Sequence, residues 1–332
     1  MFWLFRAARQ LKELGILGMN RRNAACILDH NPRALFPVVD DKLRMNDLCR
    51  RIGVPTPDVY AIVGSHSELR RLPQTLGDRG DFVVKPNRGS AGRGVLVLTS
   101  REGDGFVRHN GERLRFDQLR QHLSDILSGL YSLGGRPDQA LLQQRVRLHP
   151  VFEAVAYKGI PDIRVILYRN EPAMAMLRLP TKQSNGRANL HQGGIGTGVD
   201  LATGFTHHAV QRNRMVATHP DTGVPVLGVR VPYWPEVLDM SRRVARAVGL
   251  GYLGVDIVVD EEHGPMLLEA NARPGLAIQI ANGQGLMPRL QAIDAVLDRP
   301  QIIPISRALD AEHEAESLRA LRHAPAPASR AA

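Results

Sequence analysis

The stretch Leu253 to Gly275, LGVDIVVDEEHGPMLLEANARPG, constrains the fold more than any other part of the chain. Two runs of β-branched and apolar residues, Gly254 to Asp260 and Pro265 to Asn271, flank the polar loop Glu261-Glu262-His263-Gly264, which is the pattern of a β-hairpin. With Asp260 opposite Pro265, counting back along an antiparallel ladder sets Asp256 opposite Glu269. Side chains alternate faces with a period of two, so Asp256, Glu269 and Asn271 then share one face. Facing carboxylates repel and are costly to bury unpaired, which favours a bound hard cation. A surface hairpin with its polar face in water is the plainer alternative. Two carboxylates and an amide oxygen suit Mg²⁺ or Mn²⁺ better than zinc, and Mg²⁺ usually arrives with phosphates.

The 332 residues suffice for a substantial core, in two domains or one multi-lobed domain. Lys and Arg outnumber Asp and Glu by 43 to 33, a net charge of +10 that favours anionic partners without choosing among them. Cys26 and Cys49 stand far apart with no CxxC spacing, so a disulfide scaffold or zinc site is not expected and a cytoplasmic location is. The N-terminal stretch MFWLFRAARQLKELGILGMN is too short and interrupted in its apolar run to span a membrane, and lacks the order of a signal peptide. An amphipathic segment on a membrane surface is one reading of it, and a helix packed on its own domain is the preferred one.

Residues 1 to 40, punctuated by Asn31-Pro32 and Phe36-Pro37, read as a short helical lead-in. Asp40 or Asp41 can cap a helix running to about Ile52, and Ser65 to Leu76 reads as a second. Phe82 to Val84 and Val95 to Leu98 are strand-like, and Phe116 to Leu133 has helical spacing, with Leu119, Leu123, Ile126, Leu127 and Leu130 as its inward side. Ala140 to Val146, Asp162 to Tyr168 and Pro172 to Leu179 read as strands, Gly186 to Gly204 as a long loop or set of turns, and Trp234 to Val248 as a helix ended by Gly249. After Pro300 the composition shifts to Ala, Glu, Arg, His and Pro, which predicts a short charged helix at about Leu309 to Leu321 and a disordered end.

The segment Lys85-Pro86-Asn87-Arg88-Gly89-Ser90-Ala91-Gly92-Arg93-Gly94 joins two strands, so it is a glycine-rich hairpin rather than a strand-to-helix phosphate loop. Gly89, Gly92 and Gly94 let backbone N–H groups approach an anion, and Lys85 at the strand's end adds a point charge. A plain flexible hairpin tip accounts for the glycines equally well. Phosphate together with Mg²⁺ accounts for this loop and for the carboxylate hairpin at once, so a nucleoside triphosphate becomes the leading ligand.

Taken in order, Asp41-Lys42, Phe82-Val83-Val84-Lys85-Pro86 with its glycine loop, Asp162-Ile163-Arg164, Asn189-Leu190-His191-Gln192-Gly193-Gly194, Gly254-Val255-Asp256 and Glu269-Ala270-Asn271-Ala272-Arg273-Pro274-Gly275 resemble an ATP-grasp ligase. Within that superfamily the chain is similar to the RimK-type enzymes, most closely to alpha-L-glutamate ligase-like proteins, over about residues 40 to 295. The resemblance implies an α+β fold, with residues 41–146 and 147–300 as two lobes clasping ATP and residues 301–332 as a tail. It implies an acyl-phosphate mechanism that joins a carboxylate to an amine, adding glutamate or a similar amino acid to a peptide, protein or small acid. By the same match Lys42, Lys85, Arg88, Gly89, Ser90, Gly92 and Gly94 would hold phosphates, and Gln143, Gln144 and Val146 would meet adenine. Asp256, Glu269 and Asn271 would carry Mg²⁺, usually two ions. Arg178, Arg187 and Asn189 fall near the transferred phosphate. Phosphoryl transfer needs positioning and charge neutralisation rather than a side-chain nucleophile, so no catalytic triad is required.

Arg164 is as well explained by an ion pair with Asp162, His191 by a backbone hydrogen bond, and Arg178 and Arg187 by the basic surface. The sequence departs from the family pattern in two places. Only some forty residues precede Asp41, where the family carries a longer α/β domain, so the acceptor site would be remodelled or completed by another copy or a partner protein. Gln144 stands where RimK-type enzymes tend to have Glu, which makes the adenine contact neutral. A nucleotide-binding partner without ligase activity and an ATP-grasp kinase are the competing readings. No recognition helix or aromatic-interleaved basic strand speaks for nucleic acid.

Overall fold

The period-two apolar runs form strands, and all the strand pairs are antiparallel, in a computed structural model that describes residues 2–89 and 92–298. Strands β1 (Val59–Val63), β2 (Phe82–Pro86), β3 (Leu96–Glu102), β4 (Gly105–Arg108), β5 (Arg113–Arg115) and β6 (Ala140–Gln143) make a six-stranded sheet in the order β1-β6-β2-β3-β4-β5. Strands β7 (Asp162–Tyr168), β8 (Glu171–Leu179), β9 (Ile195–Val199), β10 (Thr206–Gln211), β11 (Arg214–Met215), β12 (Tyr252–Asp260) and β13 (Gly264–Asn271) make a seven-stranded sheet, β11-β10-β9-β8-β7-β12-β13. Both sheets lie in the first of two compact units, residues 1–293; the second comprises residues 294–332. The expected charged helix and tail, like Ser90, lie outside the described residues. No helix among the described residues is long and apolar enough to cross a membrane.

Each sheet buries one face on its own core. In the smaller lobe Phe82, Val84, Leu98 and Phe106 meet Leu119, Leu123 and Ile126 from the helix Phe116–Leu127. Phe82 and Phe106 pack edge to face with ring centroids 5.5 Å apart, the arrangement that aromatic quadrupoles favour. In the larger lobe the helix Trp234–Val248 sets Val237, Val244 and Val248 against β7, β8 and β12. Leu17, Cys26, Phe36 and Val39 of the lead-in join this larger core, as do Met45 and Cys49 of the helix Lys42–Arg51. The smaller core, drawn from residues 63–142, is therefore an insertion between two stretches, 17–54 and 152–290, that share the larger one.

Three local expectations need correction. Gly186 to Gly204 is not all loop: β9 lies inside it, fully buried, although Gly196 and Gly198 break the apolar alternation that would betray it. Those glycines let the helix Ile278–Asn282 pack close, since a Cβ on Gly198 would sit 2.7 Å from Asn282 Oδ1. The Phe116 helix stops at Leu127, leaving Leu130 exposed rather than inward. The Ser65 to Leu76 helix is two short ones, His66–Arg70 and Leu72–Leu76, because Pro73 has no N–H with which to continue the first.

Candidate nucleotide and metal site

The hairpin β12–β13 forms with a tighter turn than its sequence suggests. Asp260 pairs with Gly264, not Pro265, and the ladder runs in that register as far as Ile257 opposite Leu267. One extra residue, Leu268, then bulges out and shifts the register, so that Asp256 faces Glu269 and Gly254 faces Asn271. Without that bulge Asp256 would oppose Leu268, and Glu269 would point to the opposite face. The turn is pinned by buried Asp260, whose Oδ1 accepts from the backbone of Glu262 and His263 and from His263 Nδ1, while Oδ2 accepts from Arg147 N at 2.7 Å.

Strand order then builds a charge cluster on this face. Arg164 of β7 is the cross-strand partner of Asp256, and Asp162 that of Arg178 on β8. Arg164 grips Asp256 with Nε at 2.5 Å and with Nη2. Arg178 bonds Asp162 through Nε and, at 2.8 Å, through Nη2, which also lies 2.9 Å from Asp256 Oδ2. Arg164 is thus the partner of Asp256, not of its near neighbour Asp162. Burial alone would raise the Asp256 pKa, but the Arg164 and Arg178 guanidiniums outweigh it and hold the carboxyl well below its usual range. Burial and the charge of Asp256 push Asp162 up, against the pull of Arg178. Glu269 is different. Among the described residues no cation lies within ion-pair distance of it; Asn271 Nδ2 donates to its Oε1 at 3.2 Å, and it also hydrogen-bonds the facing Asp256.

Lys42 and Lys85 lie close enough to this carboxylate that Glu269 acts electrostatically on both, and Lys42 acts on Lys85. Lys42 Nζ donates to the backbone oxygens of Asn87 (3.2 Å) and Gly89 (2.8 Å) in the glycine-rich loop. Lys85 Nζ has no hydrogen-bond or ion-pair partner among the described residues. Burial, then the nearby charge of Lys42, pushes its pKa down to about 7. An anion bound there restores the proton. Nucleotide affinity is therefore expected to fall as pH rises above about 7, by up to about tenfold per unit, because each step deprotonates the free protein. Calorimetric titration with Mg·ADP between pH 6.5 and 9 checks this, and a flat profile would exclude Lys85 as the titrating phosphate ligand.

The other expected residues have separate places. Arg88 is engaged by Asp41, with Nη2 to Oδ2 at 3.3 Å, and its N–H donates to Asp138 Oδ2 at 2.8 Å. Gly89 bridges Ser132. Gly92 and Gly94 adopt φ of +70° and +73°, and a Cβ on Gly94 would sit 2.7 Å from Tyr131 Cγ. Gln143 is buried with Nε2 on Pro57 O, and Gln144 Oε1 accepts from Asp58 N at 3.1 Å. Val146 belongs to a third small apolar cluster with Val258 and Met266, edged by Ile160 and Leu268. Among the described residues nothing hydrogen-bonds the Val146 N–H or C=O. Arg187 is exposed and donates to Gln192 Oε1, while Asn189 Oδ1 caps the turn Leu190–Gln192 by accepting from His191 N. Among the described residues Arg187 makes no hydrogen bond or ion pair with the charged cluster. Sequence reasoning passed over Asn87 and Asp138, whose only signal was a polar residue beside a proline at a buried strand end.

The donor set fits a hard divalent cation: two facing carboxylates and an amide oxygen, one carboxylate lacking a protein cation. No group of three His, Cys, Asp or Glu side chains offers an alternative among the described residues. A sequence model of the family described as sugar-transfer associated ATP-grasp matches residues 21–295. The chain belongs to this ATP-grasp family. Its two α+β lobes with antiparallel sheets accord with that fold. Among curated relatives it is 27% identical to the ribosomal protein bS6--L-glutamate ligase of Salmonella paratyphi B, over 71% of this chain and 56% of the relative. It is 24% identical to a probable alpha-L-glutamate ligase of Maridesulfovibrio salexigens, again over 71% and 56%, and 23% identical to the cyanophycin synthetase of Synechocystis, over 97% of this chain and 38% of that protein. The chain thus spans about half, or less, of the length of these relatives. A solved D-alanyl-alanine synthetase A of Vibrio cholerae aligns with 80% of this chain and 65% of its own, at 12% identity and a TM-score of 0.47.

Proposed function

We propose that this protein is an ADP-forming carboxylate–amine ligase, adding glutamate or a similar amino acid to a peptide, protein or small acid. The observation that carries the reading is Lys85, half-buried and with its ammonium lacking a hydrogen-bond or ion-pair partner among the described residues, set with Lys42 near the Glu269 carboxylate, which forms no ion pair of its own. Such an arrangement lacks an anion and a cation together, which a metal–nucleotide complex supplies. Names borne by the relatives, glutamate ligases among them, support the choice of amino acid.

In this reading Lys85 and Lys42 hold the phosphates, the loop from Arg88 through Ser90 to Gly94 covers them, and Val146 offers its backbone N–H and C=O to the adenine edge over the Val258–Met266 cluster. Asp256, Glu269 and Asn271 hold Mg²⁺ or Mn²⁺, as one or two ions, which supplies charge neutralisation at the phosphates. Arg178, kept in place by Asp162, adds positive charge as the γ-phosphoryl group moves, with Arg187 and Asn189 at the rim where the acceptor enters. A substrate carboxylate oxygen attacks the γ-phosphorus and ADP leaves. The amine then attacks the acyl carbon, an amide forms and phosphate departs. We assign the reaction to the cytoplasm, which suits two cysteines, Cys26 and Cys49, that are buried and far apart in the sequence, and leave room for a second copy or a partner protein at the acceptor side.

Incubation with ATP, Mg²⁺ and panels of amino acids and dipeptides is expected to release ADP and phosphate only when both a carboxylate and an amine are supplied. Release of AMP and pyrophosphate would rule out the acyl-phosphate route, and acceptor phosphorylation without amide would make the protein a kinase.

A further inference from the structure

The start of the helix Lys42–Arg51 and the glycine-rich loop belong to different cores, yet they are bonded to one another. A helix leaves its first N–H groups without intrahelical partners, and Asp41 answers part of that need locally, its Oδ1 lying 3.1 Å from both Leu43 N and Arg44 N. Leu43 N also donates to Asn87 Oδ1, at 3.0 Å, and Asn87 sits at the end of β2 in the smaller lobe. Asn87 is 1% exposed and held from three sides. Its N–H donates to Gln139 O at 2.9 Å, its side-chain oxygen accepts from Leu43 N, and its backbone oxygen accepts from Lys42 N and Nζ. The amide of a small-lobe asparagine therefore caps a large-lobe helix. The same residue sets the depth at which the Lys42 ammonium meets the loop carbonyls of Asn87 and Gly89.

We propose that Asn87 is a positioning residue for the nucleotide: by capping the helix Lys42–Arg51 from the opposite lobe, it holds Lys42 and the glycine-rich loop in the arrangement the phosphates require. The proposal rests on the nucleotide reading above. Lys42 and the loop would touch the phosphates rather than the attacking and acceptor groups, so losing this tie is felt as weakened binding rather than as lost chemistry.

Mg·ADP binding is measured by calorimetry on the full chain, for wild type, Asn87→Ala and Asn87→Asp. Aspartate keeps an acceptor oxygen at the same place. The expected result is a dissociation constant raised about tenfold or more in Asn87→Ala and kept within about fivefold of wild type in Asn87→Asp. Once substrates are in hand, KM for ATP is expected to follow the same pattern with kcat little changed in either variant. A wild type that binds no adenine nucleotide overturns the nucleotide reading itself. Wild-type binding with Asn87→Ala within twofold of it, or equal losses in both variants, overturns the role given to Asn87 alone. Should Asn87→Ala fail to fold, hydrogen exchange on wild type decides: slow exchange of the Lys42 and Leu43 amides supports the cross-lobe cap, and exchange at the rate of an open first helical turn overturns it.

Discussion

Replacing Asp256 with alanine is expected to destabilise the fold by roughly 3–5 kcal/mol, the usual cost of stripping a buried ion pair of one partner. The loss falls on Arg164, whose guanidinium then has no carboxylate, and in part on Arg178, which keeps Asp162. Glu269→Gln is expected to behave otherwise. Glu269 forms no ion pair and acts on Lys42 and Lys85 only at longer range, so urea unfolding should change far less than in Asp256→Ala while ADP release falls by about two orders of magnitude or more through loss of a metal ligand. The two carboxylates face each other and look alike in sequence, but only one of them anchors the sheet. Unfolding midpoints that drop equally in the two variants would refute that distinction, and ADP release surviving in Glu269→Gln would refute the metal assignment.

Lys85→Met should shift stability the opposite way. Near neutral pH the folded protein bears the cost of a half-buried, desolvated ammonium without a bonded partner, and the thioether removes it. Because the folded pKa of about 7 lies below the ordinary 10.5, that cost is full below pH 7 and fades as pH climbs toward 10.5. Wild type should therefore gain stability relative to Lys85→Met across that window. Nucleotide affinity should drop about 10- to 100-fold, the size of a lost charge-assisted contact with phosphate. Chemical denaturation at pH 6.5 and 9, with Mg·ADP calorimetry alongside, reads both effects. A variant that is less stable at neutral pH, or that binds nucleotide as tightly as wild type, would show that Lys85 is ordinary structural packing.

Much of this was visible in the residues, though not always for the right reason. The strand Asp162–Tyr168, an apolar run closed by the polar turn Arg169-Asn170, and the helix Trp234–Val248, closed by Gly249, keep their expected bounds because pattern and terminators agree there. The facing of Asp256 and Glu269 was anticipated from a turn one residue too long. The true turn is shorter, and the bulge at Leu268 restores the register. Periodicity carries no sign of a bulge in a run as apolar as Met266-Leu267-Leu268. The exchange of partners among Asp162, Arg164, Arg178 and Asp256 was hidden for another reason. It follows from β7 lying between β8 and β12, an order fixed by packing rather than by local sequence. Strand β9 was missed because its glycines serve the helix above it.

The insertion of one core within the other also bears on synthesis. Residues 63–142 complete the smaller core from a single stretch of chain, so that lobe has all its parts once they leave the ribosome. The lead-in and the helix Lys42–Arg51 emerge earlier, but the sheet they pack on is finished only by the strand ending at Asn271. A segment made before the smaller lobe is thus among the last parts of these two lobes to find its place, and through that interval its apolar face at Phe36, Val39, Met45 and Cys49 is open to chaperones and to other nascent chains.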